Sequence, residues 1–123
     1  MKLLLAVSAW LELGAGVALL GVPSLVVGNL LGGALEGPAA IRVTRLGGVA
    51  LIALGAACWL VRREAPGRAA RAVIAAMLIY NVGAVVILGA AGAATAWVLP
   101  WAGAFLHTVM ALWCAAHLRE LPR

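Results

Sequence analysis

LLLAVSAWLELGAGVALLG, from Leu3 to Gly21, contains one ionisable side chain, the carboxyl of Glu12. An apolar run of about 20 residues is long enough for a helix to cross the hydrocarbon core of a bilayer, which is about 30 Å thick. Three further runs of this kind follow near residues 42–61, 70–90 and 96–117. The stretch at 3–21 is therefore predicted to be the first of four membrane spans.

Composition supports a membrane fold. The chain has 123 residues, of which 66% are hydrophobic and 11% are charged. A soluble domain of this size would leave roughly a third of its surface in water, which is too much for so apolar a chain. We therefore predict an all-α fold, an integral membrane four-helix bundle that forms a single domain over residues 1–123.

Two connections shape this bundle. Between the first two spans, Pro23 and Ser24 are suited to open a helix, and Gly32 and Gly33 to close it. The segment between them is too short to span, so we predict a short interfacial helix over one mouth of the bundle, either a mobile lid or a packed loop. The third and fourth spans are joined by GAAGAATA, residues 89–96, which predicts a tight turn and antiparallel neighbours.

The basic residues predict the orientation. Arg62, Arg63, Arg68 and Arg71 crowd the link between the second and third spans, and Lys2, Arg119 and Arg123 lie at the same end. The positive-inside rule then places both termini and this link in the cytoplasm. We interpret the basic link as a topology signal in contact with lipid headgroups, and we predict no nucleic-acid partner.

Polar side chains recur near the middle of the spans. Glu12 lies on the first, Arg45 on the outer half of the second, Tyr80 and Asn81 on the third, and His107 on the fourth. Polar groups inside a membrane are rare and usually functional. Because holding a charge at the helix centre costs about 2.5–3.5 kcal/mol, Glu12 needs a partner. We predict an ion pair with Arg45, completed by hydrogen bonds from Asn81 or His107.

Two neighbours complete the predicted ligand-binding or proton-handling set. Arg42 lies one turn outside Arg45, and Trp10 lies near mid-depth, where its ring is suited to stack on a bound ring. The alternative is that the polar residues only fix the packing of the helices. Cys58, Cys114 and His117 are interpreted as two small buried residues and an interfacial histidine, so no metal site is predicted.

The four short spans, the long first connection VPSLVVGNLLGG and the helix start RLGGVALIALGAACWL resemble the DoxX-like superfamily of small four-helix bacterial membrane proteins. This resemblance implies a location in the bacterial inner membrane. It also implies a quinone-linked accessory subunit or an assembly factor, and we predict that the buried polar cluster binds a small molecule, a lipid or a quinone. No catalytic motif accompanies it, and we predict a binding protein rather than an enzyme.

A second reading starts from Glu12. Small multidrug resistance transporters are similar in length and number of spans, and they carry a membrane glutamate in the first helix. The resemblance implies a proton-coupled transporter of small molecules, in which Glu12 or His107 changes charge. Such a transporter is expected to form a homodimer, whereas an accessory subunit is expected to bind a partner membrane protein. The long first connection and Arg45 depart from the transporter pattern.

Overall fold

A computed structural model describes residues 1–95 and 97–120 of the chain, and its elements are all helices. They are α1 (Lys2–Gly21), α2 (Pro23–Leu31), α3 (Gly37–Val61), α4 (Arg68–Thr95) and α5 (Val98–Glu120). The four long helices are each long and apolar enough to cross a membrane. The predicted all-α fold with four spans is confirmed, and the protein is a multi-pass membrane protein.

Two boundaries differ from the predicted spans. α3 begins at Gly37, five residues earlier than predicted, because Pro38 occupies its first turn, where a missing backbone N–H costs nothing. The turn predicted over residues 89–96 is wrong, since α4 continues through Thr95. Alanine, which dominates this segment, is the strongest helix former and overrides the two glycines.

The short helix α2 has the predicted boundaries. Pro23 lies at its first turn, and Gly32 ends it in the left-handed conformation, with a φ of 71°. A Cβ atom on Gly32 would also overlap the side chain of Thr95, at the end of α4. Glycine is therefore required here for two reasons, conformation and close approach. α2 contacts all four long helices and covers one end of the bundle.

The long helices form two tightly packed pairs. α1 runs antiparallel to α3, and α4 runs antiparallel to α5, as predicted for the last two spans. In the first pair the helix backbones approach closely at Gly16 and Gly48, where an added Cβ would lie 2.6 to 2.8 Å from the opposite carbonyl oxygen. Small residues permit such packing in lipid. Far fewer residues join one pair to the other.

The two pairs meet mainly at one end of the bundle. We call the half that contains Met1 and the α3–α4 link the terminal half, and the half beneath α2 the α2 half. In the terminal half, residues from all four long helices form one buried core: Leu4, Leu5, Ala9, Cys58, Ile74, Met77, Met110 and Cys114. The predicted burial of both cysteines is confirmed.

Candidate functional site

A cavity of about 500 Å³ lies between the two helix pairs in the α2 half. All five helices line it. Its walls are mostly aliphatic and include Leu19, Leu30, Leu51 and Ile87. Gly47 and Gly83 also line it, and because they have no side chain the space beside them stays open. Tyr80 and His107 are the two lining residues that carry a polar side-chain group. The site is therefore an apolar chamber with two polar groups on one side.

His107 is held by a hydrogen-bonded neighbour. Its Nδ1 atom lies 2.7 Å from Oδ1 of Asn81, which is 1% exposed. The amide nitrogen of Asn81 donates to the carbonyl oxygen of Met77, also at 2.7 Å. Asn81 thus bridges the α4 backbone to the α5 histidine and fixes the orientation of the ring.

Tyr80 connects the cavity to Glu12. The Tyr80 side chain interacts with the Glu12 carboxyl, and its ring stands edge-on to His107 with 5.5 Å between ring centroids. Glu12 itself is 3% exposed and does not line the cavity. One turn closer to the terminal end, the Ser8 hydroxyl is buried without a partner among the described residues. The polar groups therefore form a layer beneath the cavity.

The predicted ion pair between Glu12 and Arg45 is wrong. Among the described residues, the one ion pair joins His117 to Glu120, and Arg45 is exposed. Gly16 lies opposite Gly48, so Arg45, three residues before Gly48 on the antiparallel helix, is about seven residues or roughly 10 Å farther along the axis than Glu12. Tyr80 takes the place beside the carboxyl that was predicted for Arg45.

Two other predicted residues lie away from the cavity. Arg42 is exposed on the first turns of α3. Trp10 is 67% exposed and packs edge-on against Trp59, with 5.7 Å between ring centroids. The Arg62 guanidinium lies over the Trp59 ring, 3.3 Å from the ring centroid. Trp10 thus belongs to an aromatic cluster on the surface of the first helix pair.

Four of the seven predicted site residues come together: Glu12, Tyr80, Asn81 and His107. The residues that sequence reasoning missed are the apolar walls, including Leu30 on α2 and Gly83 on α4. Gly83 lies two residues beyond Asn81. A glycine so close to a polar residue in the middle of a helix is the one feature of the sequence that indicates open space here.

Comparison with known proteins identifies no relative of this chain. No protein-family model, no curated protein and no solved structure matches the chain. The DoxX-like resemblance therefore stays a prediction, and the functional argument is built on the cavity and its polar layer.

Proposed function

We propose that this protein binds an apolar small molecule, such as a lipid or a quinone, in the cavity beneath α2, and that it serves a larger membrane complex as an accessory or assembly subunit. The observation that carries the proposal is the chamber of about 500 Å³ with Tyr80 and His107 on one side. Sites for small molecules commonly measure about 300–1,000 Å³ and combine apolar walls with a few polar groups.

The position of the cavity favours a ligand that comes from the membrane. Its walls are aliphatic side chains of membrane-length helices, and α2 covers the end that would otherwise face water. A water-soluble ligand would gain little in such surroundings, because polar groups buried without hydrogen bonds are costly. A lipophilic molecule reaches this chamber from the bilayer and keeps one polar group near Tyr80 and His107.

Filling the cavity tests the proposal. Gly83→Leu places a side chain in the chamber, where a Cβ meets nothing within 4 Å. Gly89→Leu is the matched control, because it lies on the same helix, also has open space at Cβ, and does not line the cavity. Both variants gain the same helix propensity, about 0.8–1.0 kcal/mol relative to glycine at most.

The measurement is mass spectrometry of small molecules extracted from protein purified in native membrane discs. We expect one apolar compound near one mole per mole in the wild type and in Gly89→Leu, and at least tenfold less in Gly83→Leu. A wild-type extract identical to that of protein-free discs would refute the proposal, as would equal retention in both variants.

A second function is favoured by one observation, the grouping of Glu12, Tyr80, His107 and Asn81 beneath the cavity. In a proton-coupled transporter, Glu12 or His107 would change charge as the substrate is exchanged. Transport by reconstituted protein that is lost in Glu12→Gln and depends on a pH gradient would support this function over simple binding.

The proposed setting is the inner membrane of a bacterial cell, with both termini in the cytoplasm. Basic residues support the orientation, since the terminal half carries Lys2, Arg62, Arg63 and Arg68, whereas Arg42 and Arg45 lie at the α2 end. Exposed aliphatic side chains along α3, among them Val43, Leu46 and Val49, offer a surface for lipid, for a second copy or for a partner subunit.

A further inference from the structure

The hydrogen bonds behind the cavity determine which nitrogen of His107 carries a proton. The Met77 carbonyl oxygen only accepts, so the amide nitrogen of Asn81 must face it, at 2.7 Å. The Asn81 oxygen is then the atom that faces His107 Nδ1, also at 2.7 Å. Since this oxygen only accepts as well, Nδ1 is the nitrogen that donates.

The other nitrogen of His107 is consequently an acceptor. An imidazolium is costly at membrane depth, and the group bonded to Nδ1 is a neutral amide rather than a carboxylate. In the neutral ring, a proton on Nδ1 leaves a lone pair on Nε2. Nε2 has no hydrogen-bond partner among the described residues, and it is not one of the fully buried polar atoms. Because the His107 ring lines the cavity, this nitrogen is accessible to a ligand.

Tyr80 is the second polar residue of the cavity wall. The Tyr80 ring stands at 84° to His107 and so flanks the imidazole. The acceptor that the hydrogen bonds define in this cavity is therefore Nε2 of His107.

We infer that the cavity selects an apolar molecule that carries a hydroxyl group, which donates its proton to Nε2 of His107. This inference rests on the proposed binding function and names the chemical class of its ligand. It separates the two redox forms of a quinone, because the carbonyl oxygens of the oxidised form only accept, whereas the hydroxyl groups of the reduced form donate. A lipid would be selected for a free hydroxyl rather than for an ester carbonyl.

Nitrogen NMR of the histidine ring tests the first step without any ligand. The chain has two histidines, so labelled histidine in the His117→Gln variant reports on His107 alone. We expect a proton on Nδ1 and a bare Nε2. A proton on Nε2, or on both nitrogens near neutral pH, would overturn the inference.

A matched pair of probes tests the second step. Para-nonylphenol and its methyl ether share an apolar body, but only the phenol donates a hydrogen bond. We expect the phenol to bind the purified wild type about tenfold more tightly, as one hydrogen bond worth about 1–1.5 kcal/mol predicts. It should also shift the Nε2 resonance, which the ether should leave in place. In His107→Phe, which keeps a ring at this position, the preference should fall close to one.

The outcomes distinguish the inference from the function on which it rests. Equal binding of phenol and ether to the wild type would overturn the hydroxyl selectivity and leave an apolar binding site in place. Binding of neither probe would overturn both. Because the wild-type comparison and the NMR measurement need no substitution in the cavity, a His107→Phe variant that fails to fold does not remove the test.

Discussion

In the terminal half, Leu5, Ile74 and Met77 are sealed on all sides by the other helices. In the α2 half, aliphatic residues of the same helices, such as Leu19 on α1 and Ile87 on α4, border open space instead. The side chains are of similar size, so their identity does not explain the difference. The helix pairs meet in the terminal half and are bridged by α2 in the other.

This comparison gives the polar residues a definite place. Glu12 and Asn81 are buried between the two halves, above the sealed core and below the cavity. In a membrane, apolar surface alone drives little helix association, because lipid is as apolar as the side chains. Close packing of small residues and a few polar contacts therefore determine where the two helix pairs touch. The cavity remains where the pairs have neither kind of contact.

The largest predicted effect is the loss of a core side chain from the terminal half. Leu5→Ala removes a side chain that is fully buried, and we expect a loss of about 2–3 kcal/mol in the free energy of unfolding, near the low end of the usual range because the lipid reference is apolar. Leu30→Ala, which shortens a cavity wall, should cost less than about 0.5 kcal/mol. Equal losses in reversible unfolding from mixed micelles would contradict the difference between the halves.

A smaller effect is expected within the first helix pair. Gly16→Ala places a Cβ 2.6 Å from the Gly48 carbonyl oxygen and 2.7 Å from a side-chain carbon of Ile52. We expect a cost of about 1–2 kcal/mol in the same unfolding assay, because α1 must move away from α3. Gly14→Ala is the control, since its Cβ meets nothing within 4 Å. If both variants are equally stable, α1 and α3 are not tightly packed at Gly16, and this wall of the cavity is not bounded as described.

The smallest predicted effect concerns the polar layer. Asn81→Ala removes the hydrogen bond to His107, and such bonds between membrane helices average about 0.6 kcal/mol, with a maximum near 1.7. We expect a loss within that range and a weaker binding preference in the cavity. Asn29→Ala removes an exposed side chain that bonds to Leu25 in its own helix, so it should change stability by less than about 0.5 kcal/mol. An Asn81→Ala variant with unchanged stability and binding would show that the layer has no role.

Much of the fold is predictable from this sequence, because membrane length and turn chemistry leave few alternatives. Four apolar runs predict the four spans, and Pro23 and Gly32 predict both ends of α2. The rotation of each helix about its axis is harder to predict. Gly14 and Gly16 are equally small, yet only Gly16 faces α3. Small residues on several faces therefore leave the inward face ambiguous.

The same ambiguity limits the prediction of the site. Asn81 and His107 lie on the tightly packed α4–α5 pair and bond to each other, whereas the predicted hydrogen bonds from these residues to the Glu12–Arg45 pair are not formed. Arg45 lies on the outer half of its span by residue counting, and its long side chain is predicted to reach Glu12, but the register of α1 against α3 leaves the two about seven residues apart along the axis. The cavity lies between the two helix pairs. Its size depends on the distance between the pairs, which the residue pattern of a single helix does not predict.

The most direct test of the central claim is to map where a photoreactive fatty alcohol attaches to the wild-type protein in lipid discs. We predict adducts concentrated on the cavity walls, on Leu30 and between Gly83 and Ile87, which an excess of para-nonylphenol removes. The terminal-half core around Ile74 should remain unlabelled. Adducts spread evenly over the exposed helix faces, with no competition, would contradict the claim that the α2 half contains a binding site.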